Sequence, residues 1–337
     1  MEPAARKKRI LSAIVESYVK TGEPVGSKTL ISEAGLKVSS ATVRNDMADL
    51  TERGYLVQPH TSAGRVPTQR GYRFYVDNAL TVKPVSEQGR IYISETLAQG
   101  ADSPENVLQN AANLLTRLTD CIAFATTPNG EESRVRKISF VPTGAHSAMA
   151  VLIASNGVIK TKLFRCEFLI TPEILAVFDN ALNEVFAGVR LSAINRPFIQ
   201  TAAAGFGDLS LLLPSALIAV KDASDLAREV SVYHSGLGLL AGDAQADRIL
   251  TFLQNRHDVA ATLERLPLDT AVTIGRENSR VELAYSAVVS ARYRIDNSPA
   301  GVLAVVGPLR MDYAKMLAVL DCAGSCVSEL LNEMIDV

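Results

Sequence analysis

Apolar positions recur at helical spacing through the first eighty residues. Ile10, Leu11, Ile14, Val15, Tyr18 and Val19 make one stripe, which predicts a helix over residues 2–20 that Thr21-Gly22-Glu23-Pro24 stops. Ser27 opens a shorter helix with Leu30 and Ile31 facing inward, and Gly35 turns the chain. Ser39 or Ser40 then caps a third helix, because a serine oxygen accepts from backbone N–H groups that have no partner within the helix. Val43, Met47 and Leu50 lie on its buried side; Ser40, Ala41, Arg44 and Asn45 lie opposite. Gly54 ends it, and residues 55–58 and 65–68 flank a Thr-Ser-Ala-Gly turn as a short hairpin. Helix, helix, turn, helix and hairpin, in that order, form the pattern of a winged helix-turn-helix, whose last helix fits the major groove of DNA.

A further helix follows over 69–80, and its Tyr72, Phe74 and Tyr75 are better read as packing onto the preceding helices than as stacking on bases. Lys83-Pro84 begins a linker, a helix runs over 86–99, and Ser103-Pro104-Glu105 opens another. From Val135 the period changes to that of strands: 137–142, 148–154 and 158–168, with Asn156-Gly157 as a hairpin turn. Thr171 caps a helix whose stripe is Ile174, Leu175, Phe178, Leu182, Val185 and Phe186. A leucine-rich stretch leads to a helix from Ser224, then a strand over 230–235 and helix over 247–266. Strands over 271–275, 282–293 and 301–306 precede a long closing helix from Tyr313. The fold class is α+β, a sensor-like domain interrupted by a helical insertion.

Charge adds one thing. The net charge of the 337 residues is −2, but residues 1–75 carry 12 Lys and Arg against 7 Asp and Glu, and the rest carries 22 against 29. A basic end on an acidic body suits a chain of which one domain meets phosphate. Arg6 to Arg9 can add to that attraction or be solvated helix-start charges. No stretch spans a membrane, the apolar run 211–220 being broken by Pro214, and no signal peptide follows the basic N-terminus; a cytoplasmic protein is expected. Cys121, Cys166, Cys322 and Cys326 have no disulfide or metal spacing and read as buried thiols. His146, His234 and His257 sit on separate segments with no nucleophile elbow or phosphate loop beside them, so an enzyme is not expected, nor a metal or cofactor.

Three stretches carry a resemblance. G-R-V-P-T-Q-R-G-Y-R-F-Y-V-D (Gly64 to Asp77), I-G-R-E-N (Ile274 to Asn278) and G-P-L-R-M-D-Y (Gly307 to Tyr313) are similar to the heat-inducible transcription repressor HrcA family, with Leu309 where threonine is common. The resemblance covers essentially the whole chain. It implies a homodimeric bacterial repressor that binds an inverted-repeat operator, CIRCE, upstream of chaperone operons, its activity promoted by the GroEL chaperonin. It also implies a winged helix, a GAF-like domain and an inserted dimerisation domain. On this chain these become 1–82 for the winged helix, 83–102 for a linker helix, 103–170 with 230–337 for the GAF-like domain, and 171–229 for the insert.

Ser40, Thr42, Arg44 and Asn45 are the candidates for base edges, since arginine matches guanine and asparagine adenine. A surface ion pair with Asp46 or Asp49 is the competing reading of Arg44. Ser27, Lys28, Thr61, Ser62 and Arg65 are the candidates for phosphate or the minor groove, Arg65 being otherwise a plain hairpin residue. Leu182, Phe186, Leu211, Leu213 and Leu217 can form a dimer interface or an internal core. The rival function is a ligand-sensing repressor with an effector near Tyr285, Tyr293 and Arg310.

Overall fold

The computed structural model describes residues 3–35, 38–60, 63–241 and 246–335. The stripe of the first helix forms α1 (Pro3–Thr21), which packs on α2 (Ser27–Ala34) and α3 (Ser40–Glu52). A two-stranded hairpin, β1 (Leu56–Val57) with β2 (Val66–Pro67), closes this unit, and α4 (Gln69–Asn78) follows, capped by Thr68 accepting from the Gly71 amide. Tyr72, Phe74 and Tyr75 pack inward: the Phe74 ring meets Tyr55 edge-on at 5.4 Å and Tyr72 meets Tyr313 at 5.9 Å. Next come α5 (Glu87–Ala98), whose Ile93 and Leu97 are buried, and α6 (Pro104–Thr119), with Ser103 as its cap and Pro104 in its first turn.

Strand β3 (Ile122–Thr126) enters the body, and the chain then leaves it for a second unit before returning. That unit holds β4 (Val135–Gly144), β5 (Ser147–Ala154) and β6 (Ile159–Arg165), followed by α7 (Pro172–Phe186), α8 (Arg196–Gly205) and α9 (Pro214–Arg228). β4, β5 and β6 form an antiparallel sheet of their own. The expected division, with 103–170 joined to 230–337, is corrected by this topology. Ala148, Ala150, Leu152 and Ala154 all face α7 and α9, and Phe140, Phe178 and Leu217 share the core so formed. The alternation that identified these strands carries no information about which sheet they join. Helix α9 also begins ten residues before the expected Ser224, which is buried and donates to the Leu191 carbonyl at 3.2 Å.

β7 (Val232–Ser235) returns beside β3. Then α10 (Ala246–Gln254) and α11 (Arg256–Glu264) replace the single helix expected over 247–266, because Asn255 adopts an extended conformation and caps α11. β8 (Ala271–Ile274), β9 (Ser286–Ile295), β10 (Ser298–Pro308) and α12 (Tyr313–Ile335) complete the chain. The five-stranded sheet has the order β7-β3-β10-β9-β8 and is antiparallel throughout. α6 and α12 cover one face and α10 and α11 the other. On the first face a single buried cluster runs from Ile10 and Val43 through Tyr72 to Tyr313 and Val305, so the N-terminal unit shares its core with the body.

The inner unit decides four of the five dimer candidates. Leu182, Phe186, Leu213 and Leu217 lie in its own core, at most 1% exposed, and are not available to a second chain; Leu211 is 85% exposed. A continuous apolar stripe looks the same whether it meets its own sheet or a partner. Phe186→Ala should therefore cost about 3–5 kcal/mol, as cavity-forming truncations of buried phenylalanines do. Leu211→Ala should change stability by less than about 0.5 kcal/mol. Urea denaturation of the two variants measures both; equal effects would refute the placement.

Candidate nucleic-acid interface

Helix α3 starts where Ser39, extended at φ −71° and ψ 154°, accepts from the Thr42 amide at 3.1 Å. Its buried side is Val43, Met47 and Leu50, and Asp46 lies there with them. An isolated buried carboxylate is costly, and here Arg6 of α1 compensates it: Nε donates to Oδ2 at 2.6 Å and Nη2 to Oδ1 at 3.2 Å. One turn on, Asp49 meets Lys7 and Arg53, each at 2.9 Å, and the Lys7 contact is the main cause that holds the Asp49 carboxyl below its usual range. Both carboxylates with which Arg44 was weighed as a pair thus belong to other cations. Arg44 and Asn45 stand exposed on the far side of the helix. Arg6 and Lys7 are clamps between α1 and α3 rather than part of a free basic cluster.

The remaining candidates divide. Ser27 is buried, its hydroxyl 3.1 Å from that of half-buried Ser40 and accepting from Arg44 Nε at 3.3 Å, so these two serines tie α2 to α3 instead of facing outward. Thr42 is half-buried, with its hydroxyl 2.9 Å from Ser39. Lys28 is exposed on α2. Arg65 joins the hairpin to the α1–α2 loop through paired backbone bonds with Val25 at 2.9 Å, and its Nε donates to Thr51 at 3.0 Å. Thr61 and Ser62 lie outside the described residues. Arg70, which sequence reasoning passed over, places its guanidinium 4.6 Å from the Tyr55 ring centre and donates to the Arg53 carbonyl at the C-terminus of α3.

The orientation of this unit is set by α4. Arg73 donates Nε to Glu277 Oε1 at 2.9 Å, Nη2 to the second carboxylate oxygen and also to the Val272 carbonyl at 2.6 Å, and Nη1 to Asp77 at 3.1 Å. Glu277 additionally accepts from the Ile274 amide at 2.8 Å. Gln69 donates to the Ala284 carbonyl at 3.0 Å and accepts from the Arg276 amide at 3.3 Å. Gly275, at φ +59°, admits the Gln69 amide to a position 2.1 Å from where a Cβ would stand. Arg310 likewise rests its guanidinium on Gly22, at φ +75°, the turn between α1 and α2. The partners of Arg73 and Gln69 lie some two hundred residues away, and no local pattern marks them; Arg73 with Asp77 reads as an ordinary surface pair.

The effector site weighed for Tyr285, Tyr293 and Arg310 does not assemble. Tyr293 is fully buried and donates to the Thr126 carbonyl at 2.7 Å, Tyr285 is half-exposed under Arg248, and Arg310 faces Gly22. Burial pushes the Tyr293 hydroxyl well above its ordinary pKa. Among the described residues no three His, Cys, Asp or Glu are grouped to hold a metal ion, and no helix is long and apolar enough to cross a membrane.

The family described as HrcA protein C terminal domain matches residues 105–317. A heat-inducible transcription repressor HrcA of Symbiobacterium thermophilum is 33% identical over 333 residues, covering 96% of this chain and 98% of the relative. The protein of that name from Acidothermus cellulolyticus is 35% identical over 336 residues, covering 97% and 98%. A crystal structure of a hypothetical protein, 26% identical, matches with a TM-score of 0.64 over 97% of this chain and 98% of that one.

The joint at Glu277 sets a pH dependence. Burial raises its pKa, but the Arg73 hydrogen bonds and the Ile274 amide outweigh this and leave it lowered. A carboxylate depressed in the folded state adds stability above its unfolded value of about 4.3, and that stability fades as pH falls through the lower folded value. Acid unfolding of the wild type should therefore steepen below about pH 4.3 relative to Glu277→Gln. Identical acid limbs for the two proteins would show that the ion pair adds nothing to stability.

Proposed function

The chain belongs to the HrcA family of heat-inducible transcription repressors, and from that premise we propose that residues 1–82 are a winged helix that reads an inverted-repeat, CIRCE-type operator as part of a homodimer. The observation that carries this reading is the exposed Arg44–Asn45 face of α3, whose Asp46 and Asp49 are paired with Arg6 and Lys7 of α1 and with Arg53. A guanidinium bonded to no carboxylate, its Nε alone donating to Ser27, and a carboxamide on a helix of this kind suit guanine O6/N7 and adenine N6/N7. Thr42 stands at the helix start, where phosphate is also favoured. Lys28, Arg65, Thr61 and Ser62 are assigned to backbone contacts, which fix register without reading sequence. Ser27 and Ser40 hold α2 and α3 at their angle, a positioning role.

The five-stranded sheet with its helices serves as the GAF-like body, and the unit between β3 and β7 as the dimerisation insert. Helices cover one face of its sheet; the other leaves Val141, Met149 and Leu163 side by side across three strands, Val141 and Leu163 exposed. A contiguous apolar patch of this kind on a chain that must present two DNA-reading helices symmetrically is the natural two-fold contact. The family resemblance supports chaperonin of the GroEL type as the partner that promotes repression, and the cytoplasm as the place of action.

Arg44→Ala should weaken operator binding by about 1–3 kcal/mol and relax preference at one base position, as read by gel shift on a set of single-base operator variants. An unchanged affinity and base profile would remove Arg44 from the reading face. Leu163→Glu, on an exposed position, should keep the fold and shift sedimentation from dimer to monomer. A persistent dimer would place the contact elsewhere. Adding chaperonin to the wild-type gel shift should increase the bound fraction, and no increase would remove that partner.

A further inference from the structure

A cavity of about 250 Å³ lies between α10, α11 and the five-stranded sheet. Its floor is apolar: Phe252, Leu263, Leu283, Val288 and Val306 are all buried. Apart from exposed Ser279, the polar groups on its wall make few demands on a ligand, because each is already bonded. Thr273 donates to Asn278 at 2.7 Å, and the Asn278 amide nitrogen donates to the carbonyls of Gly275, Leu283 and Ser286 at 2.8 to 3.0 Å. Glu277, also in the lining, is neutralised by Arg73. The charged exception is Arg265, exposed in the lining, whose guanidinium has no partner among the described residues. An apolar chamber with one uncommitted cation matches a small molecule with an apolar body and one negative charge.

We propose that this cavity binds a small monocarboxylate whose apolar body fills the floor and whose carboxylate meets Arg265. We further propose that occupancy is passed to the DNA-reading unit through Glu277, which lines the chamber on one side and holds Arg73 of α4 on the other. The second half rests on the repressor reading. The route is short: the turn 274–278 carries Glu277 and Asn278 in the chamber and also Gly275, which seats Gln69 of α4. A ligand that favours one setting of this turn favours one setting of α4, and coupling of this kind is reciprocal, so DNA must alter ligand affinity by the same factor.

The full-length protein should be titrated by calorimetry with benzoate and with benzyl alcohol, its uncharged counterpart. Saturable uptake of one benzoate per chain, with Kd of about 1 mM or tighter, is expected for so small a ligand. Arg265→Gln, an exposed substitution that leaves the core alone, should weaken benzoate about tenfold and leave benzyl alcohol unchanged. Gel shifts on an inverted-repeat duplex, with chloride matched to benzoate so that ionic strength is constant, should show a benzoate-dependent change in affinity. Arg73→Lys, which keeps a cation beside Glu277 but loses the fork that orients α4, should abolish that change while retaining benzoate binding. No saturable uptake by about 10 mM, or uptake indifferent to Arg265→Gln, overturns the site. A change in DNA affinity that survives Arg73→Lys, or none in the wild type, overturns the coupling. Failure of the ligand-free wild type to bind the duplex would instead overturn the repressor reading and leave the calorimetric result standing.

Discussion

One guanidinium, that of Arg73, must satisfy groups on both sides of a joint, and the arrangement of the molecule follows from it. It lies on the helix that backs the hairpin, yet its donors go to Glu277 and to the Val272 carbonyl of the body. Planar, fork-shaped donors impose an angle as well as a distance, so α4 is held in orientation and not merely nearby. Tyr72 packs edge-on against Tyr313 beside it, and the apolar cluster is continuous across the boundary. The three stretches that identify the family meet here: Gln69 and Arg73 from the first, Gly275 and Glu277 from the second, Arg310 and Tyr313 from the third. Their shared task is to make two folding units into one body.

The same economy governs charge at the N-terminus. The basic excess of the first 75 residues suggested a diffuse attraction to phosphate. Part of it is spent internally, since Arg6 and Lys7 neutralise Asp46 and Asp49 from α1. What this secures is direction: an acidic α3 would repel DNA and draw Arg44 inward along its own surface. With those acids satisfied from behind, the outward face keeps its arginine and asparagine exposed.

What could be read from the chain was local. The caps at Ser39, Ser103 and Thr171, the stripe of α1 and the turn at Asn156-Gly157 are short-range signals, and the structure contains each of them. What could not be read was pairing over distance. The strands β4 to β6 alternate as strands of the body would, and their separate sheet follows from the cover given by α7 and α9. Leu182 and Phe186 form a stripe that suits a partner as well as a core. Within the candidate site, the exposure of Arg44 and Asn45 followed from helical phase. The burial of Ser27 did not, because it depends on how closely α2 crosses α3.

The insert departs and returns at one place. Thr126 at the end of β3 pairs with Val232 at the start of β7, and just beyond them Thr127 and Ser231 exchange bonds at 2.9 and 2.8 Å. Seen from the sheet, everything between is an enlarged hairpin loop on a two-stranded stalk. That stalk is one tether, and Arg136 Nη1 of the insert, which donates to the Ile335 carbonyl of α12 at 3.0 Å, is a second, so the insert is fixed to the body at two places. If pairs of these chains are held at their inserts, the distance between their α3 helices is then passed through those two tethers and the shared core of body and N-terminal unit.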